Sequence, residues 1–275
     1  MRSLRSILFF LCLCASVAIP FATKAQSDSA FQYLKTIKGD FNYFNVDNLD
    51  NVYLITNNSQ LKKLNANGDS VAVFNDVKKY GNPDYIDVTN PLKALLYYKN
   101  YSTVVTLDRL LTVRNNINFR KQNIFYVNNV TLSYDNYIWI FDEEEFKLKK
   151  INEEGKVLQA TTDWRMLFDT VPAPNRIIDR DNFVYLYDPA KGFYIFDYYG
   201  SFKNRLAFLN WTNVEVNGNM VYGFANHKLY SYELKSLRLK EYKLPPFFGK
   251  FTSIKAMNGK VYLLNEKGVD VYQVK

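Results

Sequence analysis

Short apolar runs separated by polar turns recur along this chain in a fixed order. The clearest unit reads Val46-Asp47-Asn48-Leu49-Asp50-Asn51-Val52-Tyr53-Leu54-Ile55, followed by Leu61-Lys62-Lys63-Leu64-Asn65-Ala66-Asn67-Gly68. The order returns at Leu132–Ile140 with Leu148–Gly155, and again at Ile178–Leu186 with Phe193–Gly200. Fainter copies lie at Val216–Tyr222 and Met257–Tyr262, and Asp87–Leu95 occupies the remaining interval with its turn signal replaced by Pro91-Leu92-Lys93. Runs rich in Val, Ile, Tyr, Phe and Leu suit a pleated, largely buried surface and predict strands. Asp-Asn and Asn-Gly pairs accept the positive φ that two-residue hairpin turns require. Helical spacing is nearly absent; Asp163–Asp169 has room for one turn.

With Val52, Ala94, Ile138, Val184, Val221 and Val261 taken as equivalent, the steps are 42, 44, 46, 37 and 40 residues. A period near 40 is that of four-stranded propeller blades. The chain is therefore read as all-β, a six-bladed β-propeller with four-stranded blades. The last copy stops after its third strand, Val269-Asp270-Val271-Tyr272, while Phe31-Gln32-Tyr33-Leu34-Lys35-Thr36-Ile37 is one strand left over at the start. Pairing the two closes the ring and removes an open edge. If the propeller reading fails in any blade, blade two is where the pattern is weakest.

The repeats resemble those of NHL-type six-bladed propellers. The resemblance rests on Asp50-Asn51-Val52-Tyr53, Asp181-Asn182-Phe183-Val184-Tyr185 and Gly218-Asn219-Met220-Val221-Tyr222, and it covers the chain after residue 25. These motifs are structural, so the resemblance implies a fold rather than an activity.

Composition adds the compartment. Met1-Arg2-Ser3-Leu4-Arg5, an apolar run from Ile7 to Ala22 and then Thr23-Lys24-Ala25 form the three regions of a secretory signal peptide, with cleavage expected after Ala25. The run is interrupted by Pro20 and is too short for a membrane span. Residues 1–25 are thus read as signal and 26–275 as one propeller domain, exported to the periplasm or beyond the cell. The short signal and its Lys-Ala-Gln junction point to a bacterial envelope. Both cysteines, Cys12 and Cys14, fall inside the signal, which excludes disulfides and thiolate metal sites from the mature chain.

Charge changes little. Loss of Arg2, Arg5 and Lys24 leaves 32 basic against 27 acidic residues, and the lysines are scattered singly along strands and turns, as on a solvated surface. No basic stripe marks a nucleic-acid face.

Candidate chemistry is sparse. The loops joining one blade to the next are rich in aromatic residues and supply Tyr80, Trp164, Arg165, Phe168, Trp211, Phe247 and Phe248 as a candidate surface for a protein or peptide partner. Aromatic and Arg side chains dominate interface hot spots; the alternative is that these rings pack between blades. The single His227 lies in a polar turn and cannot form a multi-histidine zinc site. No Gly-x-Ser-x-Gly nucleophile or phosphate-binding glycine loop accompanies it. Glu143-Glu144-Glu145 falls in a hairpin loop, where carboxylates are usually solvated. Asp84, Asn129, Asn175 and Asn213, at the starts of inner strands, are candidate oxygen ligands for calcium and carry the alternative of a calcium-dependent hydrolase or lactonase. Exposed rings also admit a carbohydrate-binding module. The favoured reading is a non-catalytic binding or scaffolding propeller without a cofactor.

Overall fold

Strands form where the apolar runs place them. A computed structural model describes residues 30–75, 79 and 83–275; the expected signal segment and Tyr80 lie outside the described residues. A single strand, β1 (Phe31–Lys38), comes first. Blade 1 is β2 (Phe41–Val46), β3 (Val52–Thr56), β4 (Leu61–Leu64) and β5 (Ser70–Phe74); blade 2 is β6 (Tyr85–Asn90), β7 (Lys93–Tyr98), β8 (Thr103–Asp108) and β9 (Val113–Asn118). Blade 3 is β10 (Val127–Leu132), β11 (Ile138–Asp142), β12 (Lys147–Ile151) and β13 (Val157–Ala160); blade 4 is β14 (Arg176–Arg180), β15 (Phe183–Asp188), β16 (Gly192–Asp197) and β17 (Phe202–Leu206). Blade 5 is β18 (Thr212–Asn217), β19 (Met220–Ala225), β20 (Lys228–Glu233) and β21 (Arg238–Lys243); blade 6 holds β22 (Ser253–Met257), β23 (Lys260–Asn265) and β24 (Gly268–Val274).

Each blade is an antiparallel sheet in chain order, and the sixth is completed by β1 in the order β22, β23, β24, β1. The register runs from Phe31 opposite Val274 to Lys38 opposite Gly268, so the leftover strand is the missing one. The first strands of successive blades touch all the way round, from β2 through β6, β10, β14 and β18 to β22 and back to β2. The molecule is a six-bladed β-propeller.

Blade 2 forms despite its altered turn. Asn90 lies opposite Lys93 across Pro91-Leu92, and the Asn90 side-chain oxygen accepts the Leu92 N–H at 2.9 Å. Proline presets φ for the first corner of a turn, so the loss of an Asx-Asn pair is tolerated. Elsewhere the expected turn residues take positive φ, among them Asn136, Asp181, Asn182 and Asn258.

The apolar core is divided into wedges between blades. Six clusters of buried side chains lie one at each interface, from Tyr53 and Ile55 against Ile86 and Leu96 to Phe44 and Leu54 against Tyr262 and Val271. Middle strands are covered on both faces and so lose alternation: Ile138, Trp139, Ile140 and Phe141 are all buried. Outer strands such as β17 and β21 are exposed and charged, which blunts their edges.

One expectation about charge is corrected. Lys63, Lys149 and Lys150 are buried rather than solvated. Lys63 Nζ donates to the carbonyls of Pro91 and Arg109 at 3.1 and 3.2 Å, clasping blade 2 from blade 1. Lys150 Nζ meets Asp135 at 2.5 Å and sits 4.8 Å from the Trp139 ring. A lysine stem covers apolar surface while its ammonium finds a partner, which makes a strand lysine compatible with a packed face.

Candidate binding site at the channel mouth

The six inner strands place equivalent residues around the axis. Asn45, Thr131, Ile178, Glu215 and Lys255 each lie one position before the residue that pairs with the repeat-equivalent valine or isoleucine of the second strand, and Asp87, opposite Leu95, fills the same place in blade 2. Two residues nearer the strand starts stand Tyr43, Tyr85, Asn129, Arg176, Asn213 and Ser253. Apart from Ile178, which belongs to the apolar core, every residue of these two layers carries a polar side-chain atom. They make the axial end of the ring the most chemically populated part of the fold.

A cavity of about 540 Å³ opens at this end, within the usual range for ligand pockets. Its walls include Tyr43, Tyr85, Tyr187, Trp211, Asn175 and Asn213. Its floor is charged. Glu215 accepts from Lys255 Nζ at 2.8 Å and from Arg176 at 3.5 Å, and Lys255 also reaches the Asn45 side-chain oxygen at 2.5 Å. The Arg176 guanidinium lies over the Tyr85 ring, 4.3 Å from its centre, a cation–π contact. Below the floor the channel narrows to a void of about 10 Å³, bordered by Asp87, Thr89, Arg180 and Met257. Arg180 crosses it, donating to the carbonyls of Thr89 in blade 2 and Val216 in blade 5 at 3.3 Å each. The mouth is therefore a blind pit.

Electrostatics follow from this packing. Burial pushes the Glu215 carboxyl up, but Lys255 and Arg176 pull it further down, and it lies below its ordinary range. Burial lowers the Lys255 ammonium, against the pull of Glu215. Burial raises the Tyr85 phenol well above its ordinary value although Arg176 opposes it. The pit thus presents two cations, one held carboxylate and neutral phenols, an arrangement for holding a ligand; a carboxylate clamped between cations is a poor base.

Solved structures that superpose on the chain share its fold. Streptogramin B lyase aligns with a TM-score of 0.56 at 14% identity, over 84% of this chain and 78% of that one. Virginiamycin B lyase from Staphylococcus aureus aligns at 0.55 and 11% identity, over 89% and 88%. The Cps50 (Swd1) β-propeller domain of Myceliophteria thermophila aligns at 0.60 and 8% identity, over 89% and 100%. This is a β-propeller by structure. At such identities the likeness shows the fold alone, and no family model or curated protein matches the sequence.

The propeller separates the residues singled out from the sequence. Trp164, Trp211 and Phe248 are 0%, 5% and 4% exposed, so the expectation of an open aromatic face is corrected at these three: they are seals between blades. Trp164 stacks on Phe196 at 5.1 Å, Trp211 on Phe208 at 4.3 Å, and Phe248 packs on Phe31 and Tyr272 at 5.0 and 4.5 Å. Gly223 is required beneath Trp211, because a Cβ there would come within 2.3 Å of the indole. Trp211 still borders the pit. Phe168 is half-buried against Trp164 and Tyr194, while Arg165, paired with Asp163, and Phe247 are exposed on the inter-blade loops of the mouth side. Tyr80 is outside the described residues.

Of the calcium candidates, Asn175 and Asn213 both line the mouth. Asp84 accepts the Lys99 backbone N–H at 2.7 Å, and the Asn129 amide donates to the Pro174 carbonyl at 2.8 Å. Among the described residues no three His, Cys, Asp or Glu side chains gather as metal ligands. His227 is exposed in the turn between β19 and β20, with φ of 57°. Glu143-Glu144-Glu145 acts partly as a brace: hydrogen bonds from Lys147 and then Lys149 hold the Glu145 carboxyl down at about 2. Sequence reading passed over Arg176, Glu215 and Lys255. The signal for them was a polar column recurring in apolar inner strands once the repeats are aligned.

Proposed function

We propose that this chain is a non-catalytic binding module, an NHL-like propeller that works after export in the bacterial envelope or outside the cell and holds a protein or peptide partner at the channel mouth. The observation that carries the reading is the blind pit: a concave site on the ring axis, rimmed by neutral polar side chains and floored by Arg176, Glu215 and Lys255. Exposed Arg165 and Phe247 lie on inter-blade loops of the same side and supply an outer rim for a macromolecular partner. The ion-paired state of Glu215, the carboxylate on the floor, supports holding over acid–base or calcium chemistry.

Site-specific photo-crosslinkers test the reading in cells. Crosslinkers replacing Asn213 or Phe247 at the mouth are expected to trap a discrete partner, whereas one replacing Tyr199, an exposed turn residue between third and fourth strands on the opposite side, is not. Adducts of the same kind from both sides, or none from the mouth, would sink the proposal.

A further inference from the structure

We propose that the axial pit is a receptor for a single carboxylate group, with the Arg176 guanidinium as its main donor and the Lys255 ammonium as its second cation. The inference deepens the binding reading and rests on it for the source of the ligand, not for the chemistry of the site.

Charge is the first argument. The charged residues lining the pit are Arg176, Lys255 and Glu215, which leaves one positive charge in surplus. Deeper in the channel the charges are settled. Asp87 accepts from the Thr89 N–H, the Thr131 hydroxyl and the Leu132 N–H at 2.8, 2.7 and 2.5 Å, and Arg180 is spent on two carbonyls. The surplus therefore sits on the floor of the open pit, where Arg176 and Lys255 retain only 20% and 12% side-chain exposure. A cation so far removed from water is costly without a counter-charge, and an entering anion relieves that cost.

Hydrogen bonding is the second argument. A guanidinium has five N–H donors. Among the described residues Arg176 uses one, on a long 3.5 Å bond to Glu215, and its guanidinium carbon lies over the Tyr85 ring, 4.3 Å from the centre. A ring face accepts no in-plane hydrogen bond, so the other N–H donors remain for a ligand, and the guanidinium fork matches the two oxygens of a carboxylate. A surplus of one charge suits a monoanion, whereas a phosphate dianion would bring its second charge beside Glu215. Asn175, Asn210, Thr212 and Ser253 then offer neutral donors and acceptors to the remainder of the ligand, beside the ring of Trp211.

The experiment uses the full propeller, residues 26–275, and calorimetric titration with defined probes. These are N-acetylphenylalanine, its amide, a pentapeptide ending in phenylalanine with a free or an amidated C terminus, and inorganic phosphate. Each free acid is expected to bind roughly tenfold or more tightly than its amide, the worth of a charge-assisted hydrogen bond, and phosphate to bind as weakly as the amides. Arg176→Gln should erase the preference, Arg176→Lys should restore part of it, and Glu215→Gln should strengthen acid binding and admit phosphate. A free peptide acid preferred over N-acetylphenylalanine assigns the source to a chain terminus; equal binding assigns it to any small carboxylate. Equal affinity of acid and amide for the unaltered protein overturns the proposal without reference to a variant. So does undiminished preference in an Arg176→Gln protein that melts like the parent. Acid binding without any crosslinked partner would leave the carboxylate site standing and remove the partner reading.

Discussion

Trp164 is the residue whose behaviour most depends on where its loop goes. In the chain it stands in Asp163-Trp164-Arg165-Met166-Leu167-Phe168, a polar and aromatic mixture that reads equally as a recognition loop or a seal. A single hydrogen-bonded turn, closed by the Phe168 N–H to the Trp164 carbonyl at 2.9 Å, swings the indole back between Phe141 and Phe196, where its N–H meets Thr161. Trp164→Ala should therefore cost about 3–5 kcal/mol of stability. Phe247→Ala, at a ring 52% exposed, should cost less than about 1 kcal/mol. Urea unfolding of the two variants measures the contrast, and equal losses would contradict the assignment of Trp164 as a seal. The floor residues show the same dependence on context. Arg176, Glu215 and Lys255 look like ordinary strand charges one at a time, and only alignment of the inner strands reveals that their positions share two layers.

At the scale of elements, β1 decides whether the ring is closed. It buries Phe31 at the interface of blades 5 and 6, pairs along its length with β24, and supports Phe248 and Tyr272. Without it the β24 edge and those rings would face water. A chain beginning at Gly39 should melt roughly 10 °C lower, from the lost burial of one large aromatic spread over a domain of this size, and should self-associate through the open edge. Light scattering and thermal melting check both effects; an unchanged melting point would mean that closure adds nothing. This element was readable in advance because a missing last strand and a surplus first one are counted from sequence alone. Blade 2 was readable for a different reason. Its turn chemistry had changed, but the spacing of Ala94 within the period and the apolar run around it survived, and packing between blades 1 and 3 completed the strand pairings.

The whole molecule distributes its core among six interfaces, so each blade is held by its neighbours and no blade is independent. Such an architecture concentrates polar groups on the axis, where the inner strands crowd and the sheets cannot fully pack. A site there is shared: Lys255 from blade 6 reaches Glu215 in blade 5 and Asn45 in blade 1, and Arg176 from blade 4 faces Tyr85 in blade 2. The reading of the molecule as an exported protein carries its own prediction. Expressed in a bacterial host from Met1, the recovered protein should begin at Gln26 and fractionate with the envelope or medium. N-terminal sequencing of each fraction checks this, and an intact Met1 confined to the cytoplasm would refute it.

The amino-acid sequence by itself determined the strands, their turns, the period and the closing strand, because alternation and turn chemistry act over a few residues and six imperfect copies reinforce one another. Tertiary structure alone decided which loop aromatics were covered and which polar side chains met. Those outcomes depend on strands tens to hundreds of residues apart, such as Asn45 and Lys255, which come within a hydrogen bond only when the ring closes. The axial pit is a product of that closure, since no single blade contains more than a fragment of its floor.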